Sequence, residues 1–204
     1  MALPLNALDD RARQRAIDWM REAEANDYRP DDVIDDCLTC LQFLGIDVDT
    51  DRKGRPAVEY SVGSYVQGGD FVVFSGGWRV ADMDVAALLA YAPQDEALHA
   101  VAATFTAILL QWPCASAGIG RHGQCFTIDE YTCDGDDGYT QVGDAHLFRS
   151  LVDAVKAAAH WMLARMLADY EDRTSDDSCA DMIESNDYRF TEAGDFVPAV
   201  PAGD

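Results

Sequence analysis

Val58–Trp78, VEYSVGSYVQGGDFVVFSGGW, is the stretch around which the chain is organised. Apolar residues alternate through Val58, Tyr60, Val62 and Val66. Gly68-Gly69 interrupts them, and Phe71, Val72, Val73 and Phe74 follow before Gly76-Gly77. Period-two alternation marks a half-buried strand, because successive side chains point to opposite faces. A glycine pair between two such runs signals a hairpin. Helical patterns lie on both sides. The stretch is therefore expected at the centre of a small antiparallel sheet packed against several helices, an α+β fold.

On the N-terminal side, Leu8–Ala25 repeats Ala12, Ala16, Ile17, Met20 and Ala23 at helical spacing, with Asp9 or Asp10 to cap it. Asn26–Pro30 breaks that helix. A second begins near Pro30, where Asp31 and Asp32 suit the positive N-terminal end. Val33, Ile34, Cys37, Leu38, Leu41 and Leu44 form its apolar face, and Gly45 is expected to end it. Ile46–Val48 reads as a short strand and Asp49–Pro56 as a polar loop.

On the C-terminal side, Asp82 or Asp84 caps a helix over Val85–Tyr91, Pro93 interrupts it and Asp95 restarts it. Glu96–Trp112 carries Leu98, Val101, Ala102, Phe105, Ile108 and Leu109 at helical spacing, and Pro113 closes it. Cys114–Cys133 returns to strand chemistry. Asp134–Gly138 reads as a turn and Tyr139–Val142 as a short strand. Asp144–Tyr170 is the longest helix. Ser175 caps a last one, Tyr188–Thr191 reads as an edge strand, and Gly194–Asp204 as a loose tail. With no internal repeat and no long linker, the reading is one domain over 1–204, its core about 7–193.

Thirty-seven acids face fifteen Lys and Arg, for a formal charge of −22 and a pI near 4.2. Such a surface repels nucleic acid and anionic membranes and draws in basic partners. The competing reading is plain solubility or a GC-rich host, which the two lysines, Lys53 and Lys156, also suit. No apolar run nears the roughly 18 residues that suggest a bilayer span. Met1–Leu8 is followed at once by Asp9-Asp10, unlike a signal peptide, so the expected location is the cytoplasm. Without an export signal the six cysteines are expected as reduced, mostly buried thiols.

Few residues suggest chemistry. Cys37-x-x-Cys40 with His122-x-x-Cys125 offers a Cys3His donor set for zinc, with Cys133 as a spare ligand. A helical first pair is atypical, and buried core cysteines explain it more simply. Asp47-x-Asp49-x-Asp51 resembles the start of a calcium loop, but its sixth position is not glycine and its twelfth is Val58. A nucleophilic cysteine would need Cys114, Cys125 or Cys133 beside His99, His122, His146 or His160, and no spacing selects a pair. P-loop, dinucleotide and nucleophile-elbow motifs are absent. The reading is thus of no cofactor, no metal and no catalytic residue.

The acids cluster at Asp9-Asp10, Asp31-Asp32, Asp35-Asp36, Asp134–Asp137 and Asp176-Asp177. Helix capping accounts for two of these. Asp31, Asp32, Asp35, Asp36, Asp47, Asp49, Asp51, Asp134, Asp136 and Asp137 are the candidate partner-binding surface. The alternative is a diffuse solvated charge.

Several short segments, taken in order, resemble a family found in phage and prophage genomes. They are Gln67-Gly-Gly-Asp70 running into Phe74-Ser-Gly76, then Ala92-Pro-Gln-Asp95 followed by Leu98-His99, then Thr174-Ser-Asp176 and Asn186-Asp-Tyr188-Arg-Phe190-Thr-Glu192. The family's central segment resembles F-S-G-F-x-S-Q-G-D-G-x-x-F. Here the Q-G-D triplet has an extra glycine, and Phe71 replaces the glycine that follows it. The resemblance spans about Ala7 to Phe196. It implies a small, acidic, cytoplasmic protein of a mobile element, and some members are labelled antitoxin of a toxin–antitoxin stability system. It implies no reaction, cofactor or transferable site residue.

The leading expectation is a non-catalytic binding protein of a phage or mobile element. It would inhibit a basic, nucleic-acid-handling host or defence protein without binding nucleic acid or membrane itself, and homodimerisation stays open. An antitoxin for a cognate toxin, and a zinc-dependent or cysteine-based enzyme, are the alternatives.

Overall fold

The computed structural model describes residues 2–63, 69–133 and 145–198. Contacts divide the chain into two compact units, 31–166 and the pair of terminal segments 1–30 with 167–204. Where the sequence reading drew a single domain, each unit has its own apolar cluster.

In the larger unit α2 (Asp31–Phe43) runs directly into β1 (Leu44–Val48). Gly45 does not end the helix. It lies in the strand at φ +78°, where the register slips, and a Cβ there would collide with the carbonyl oxygen of Arg79. That conformation costs glycine little and other residues much.

The expected hairpin exists: β2 (Val58–Ser61) pairs antiparallel with β3 (Phe71–Phe74), from Val58 opposite Phe74 to Ser61 opposite Phe71. Its Gly68 turn lies outside the described residues. The hairpin is not the centre, however. It forms its own two-stranded sheet, while the main sheet has the order β1-β4-β5-β6, all antiparallel. Its inner strands are β4 (Gly76–Met83) and β5 (Ala115–His122), and β6 is Cys125–Cys133.

Gly76-Gly77, which follows the apolar run Phe71–Phe74, begins strand β4. At Gly76 the strand lies so close to β1 that a Cβ would meet the Asp47 carbonyl oxygen. Close backbone approach is one of the few reasons for a glycine inside a strand. Beyond it Trp78 and Val80 point inward and Arg79 outward.

Trp78 is fully buried. Its indole N–H donates to the Leu44 carbonyl at 3.1 Å, and its ring tilts against Phe105 with centroids 6.0 Å apart. A buried indole needs such a partner, because an unsatisfied donor costs about 1–3 kcal/mol. Helices supply the rest of the layer. Asp84 caps α3 (Val85–Tyr91), and Asp95 caps α4 (Glu96–Gln111) by accepting the Leu98 amide at 2.8 Å. Leu147, Leu151, Val155, Ala158, Met162 and Met166 form the fully buried stripe of α5 (Ala145–Arg173).

In the smaller unit Asp9 caps α1 (Asp10–Asn26), and Ser175 caps α6 (Asp176–Ser185). Ala16, Ile17 and Met20 pack with Leu5, Cys179, Ile183 and Phe190. The expected loose tail is partly ordered. Phe196 and Val197 form β8, paired with β7 (Arg189–Phe190), and Leu3 bridges Phe190 from the other side. The Phe196 ring stacks on Trp19 at 4.2 Å between centroids. This aromatic anchor, absent from the helical repeats, holds the segment down. The turn and strand expected over Asp134–Val142 lie outside the described residues.

Candidate functional site

Helix α2 brings four of the predicted acids together within two turns. Because side chains four apart share a face, Asp31 and Asp35 open to one side of the helix and Asp36 to the other. Two clefts of the larger unit flank them.

The first, about 650 Å³, is lined by Asp31, Ile34 and Asp35 from α2, by Asp51 and the run from Arg55 to Tyr60, and by Arg121 of β5. Its cations are already engaged. The Arg55 guanidinium donates to Asp51 Oδ2 from Nε at 2.9 Å and from Nη2 at 2.7 Å, while Arg121 pairs with Glu59. Asp51 Oδ1 also accepts the amides of Lys53 at 2.7 Å and Arg55 at 3.0 Å. These donors hold the Asp51 carboxyl below its ordinary range, the backbone bond from Arg55 contributing most. Asp51 is therefore committed to folding its own loop. Asp31, Asp32 and Asp35 are exposed and make no ion pair among the described residues.

The second cleft, about 670 Å³, is lined by Asp36 and Cys40 of α2, Tyr91, the Ala92–Asp95 link, Glu96, and Trp161 and Arg165 of α5. The Tyr91 hydroxyl donates to Asp36 Oδ1 at 2.6 Å, which pushes the phenol above its ordinary pKa. Arg165 Nη2 donates to Asp36 Oδ2 at 3.0 Å, and Nη1 lies 3.9 Å from Asp95. The Trp161 indole N–H donates to Asp95 Oδ2 at 2.9 Å. Asp95 thus caps α4 with one oxygen and holds α5 with the other. Glu96 is exposed and makes no ion pair among the described residues.

Of the remaining predicted residues, the described ones, Asp47 and Asp49, line neither cleft. Asp47 lines a shallow depression of the main sheet with Gly77, Arg79 and Ser116. Asp49 is exposed beyond β1, where its amide donates to the Ser75 carbonyl at 2.8 Å. Asp134, Asp136 and Asp137 lie outside the described residues.

The alternative zinc donors do not assemble. Cys37 and Cys40 are 0% and 1% exposed inside the core. His122 and Cys125 face each other in register at the exposed end of the β5–β6 hairpin. Among the described residues no group of three His, Cys, Asp or Glu side chains could hold a metal ion. Burial pushes the Cys37 thiol up to about 12 and Cys40 to about 11, so neither supplies thiolate near neutral pH.

Tyr91, Glu96, Trp161 and Arg165 were not singled out for binding. Only the i, i+4 spacing of Trp161 and Arg165 hinted at a shared face. Among the described residues no helix is long and apolar enough to cross a membrane.

No curated protein and no solved structure matches the chain. Residues 30–176 match the model of a family described as a domain of unknown function, DUF8835. That segment begins one residue before the larger unit, contains both clefts and covers well over half of the chain. The chain belongs to the DUF8835 family.

Proposed function

We propose that this is a non-catalytic binding protein whose α2 edge docks a basic partner, a nucleic-acid-handling host or defence protein that it inhibits by occupying the basic surface. The observation that carries this reading is the run Asp31, Asp32, Asp35 and Asp36 on one helix between two open clefts. Three of the four carboxylates have no cation among the described residues. A cation-lined partner gains Coulomb attraction there without breaking an existing ion pair, and long-range steering by the net charge speeds the encounter. The resemblance to acidic phage proteins supports the choice of partner class.

The test is capture of binding proteins by the full chain, followed by salt elution and identification. A basic nucleic-acid-binding protein that elutes as salt rises from roughly 0.1 M, where the screening length is about 10 Å, and that loses its nucleic acid to this chain, supports the reading. A complex indifferent to salt, or one that leaves nucleic acid binding intact, contradicts it.

A further inference from the structure

The second cleft already holds a guanidinium, and that shows what its walls accommodate. Arg165 sits against Asp36 at 3.0 Å and near Asp95 at 3.9 Å, on the edge formed by α5. It does not neutralise the cleft, since three carboxylates, Asp36, Asp95 and Glu96, line a space containing one cation. Glu96 also lines it, exposed and without an ion pair among the described residues. Tyr91, 49% exposed, lines the same cleft, its ring oriented by the hydroxyl bond to Asp36 and by a tilted contact with Phe43 at 5.7 Å. A fixed aromatic ring beside surplus carboxylates attracts a planar cation more than a compact one. A guanidinium can lie on the ring and still donate in its own plane to carboxylate oxygens.

We propose that this cleft is a socket for an arginine side chain of the basic partner, which lies on Tyr91 and pairs with Glu96 beside the resident Arg165. This rests on the reading of the chain as a binder of basic proteins, and it adds the residue chosen and its place. Asp31, Asp32 and Asp35 then supply general attraction, while Tyr91 and Glu96 select arginine over lysine. Arg165 keeps Asp36 and Asp95 oriented, so the guest meets a preorganised site.

Oligoarginine and oligolysine peptides of equal length serve as probes, titrated into the full chain and into Glu96→Gln, Tyr91→Phe and Asp31→Asn/Asp35→Asn variants. Nuclear magnetic resonance follows the Trp161 indole N–H in each titration. The expected result is tighter binding of oligoarginine, by about fivefold or more, with a shift of the Trp161 signal. Glu96→Gln reduces the arginine preference, whereas Asp31→Asn/Asp35→Asn weakens both peptides alike. Glu96 is exposed and makes no ion pair among the described residues, so its variant is expected to fold. Tyr91→Phe keeps the ring and tests whether its orientation through Asp36 matters. Equal salt-dependent binding of both peptides, with Trp161 unmoved, overturns the socket and leaves the acidic-surface reading standing. Failure of both peptides to bind even at low salt overturns both readings.

Discussion

Both units carry an excess of carboxylates, over cores of very different size. In the smaller unit some of the acids are stitched into the fold, while Asp177, Asp181 and Glu184 are exposed and make no ion pair among the described residues. Arg15 pairs with Asp195, Arg21 with Asp18 and Asp176, Arg173 with Asp169, and Arg189 with Asp187. Its core is a short list of side chains finished by the Trp19, Tyr188, Phe190 and Phe196 rings. The larger unit buries an extensive core around Trp78 and Phe105 and leaves Asp31, Asp32 and Asp35 without ion pairs among the described residues. Exposed ion pairs contribute only about 0–1 kcal/mol each, so the smaller unit gains modestly from them. The family match covers the larger unit.

The largest expected effect tests the difference in cores. Trp78→Ala removes a fully buried ring and its hydrogen bond, and should cost roughly 3–5 kcal/mol in urea unfolding. Trp19→Ala removes a half-buried ring that is stacked but not enclosed, and should cost less, about 1–3 kcal/mol. Equal costs would erase the contrast between an enclosed core and an aromatic clasp.

Alkaline unfolding sharpens the comparison. Cys37 is held near 12 in the folded protein against an ordinary value of 9.0, because burial opposes the thiolate. A folded pKa raised above the unfolded one contributes stability in full below about pH 9, and that stability is lost as pH climbs toward 12. Urea midpoints should therefore fall across that window, and fall less in a Cys37→Ala/Cys40→Ala variant. An identical decline in both proteins would place the alkaline sensitivity elsewhere.

The smallest effect belongs to the stitched acids. Arg21, then Gln14, lower the Asp18 carboxyl from its ordinary 3.8. Stability from a lowered carboxylate is present above its unfolded pKa and is lost as pH falls through the folded one. Asp18→Asn should change stability at pH 7 by no more than about 0.5 kcal/mol, since the pair is exposed, and its effect should disappear below the ordinary value. A change of several kcal/mol would make the ion pairs, rather than the rings, the mainstay of that unit.

Local periodicity makes most elements legible in the sequence. The α5 stripe from Leu147 to Met166 and the caps at Asp95 and Ser175 follow from spacing and side-chain chemistry, while the fold selects Asp9 over Asp10 and Asp84 over Asp82. Strand β4 does not follow from spacing, because Gly76-Gly77 does not read as strand unless the nearness of β1 is known. Gly45 misled for a similar reason: it looks like a helix end and is a bulge. The second cleft was hidden because Asp36, Tyr91, Asp95, Trp161 and Arg165 come from distant segments and each has a sufficient local explanation. Only the fold shows that these explanations converge.

The most direct test of the central claim sets the two acidic surfaces against each other. Asp31→Asn/Asp32→Asn/Asp35→Asn and Asp177→Asn/Asp181→Asn/Glu184→Gln remove the same charge, one set from α2 and the other from exposed positions of α6. Affinity for oligoarginine would be measured at low and moderate salt. The account predicts that the α2 set loses about tenfold or more in affinity and much of the salt dependence, while the α6 set loses little. Equal losses from the two sets would show that net charge alone is being read, and would contradict a recognition surface on the larger unit.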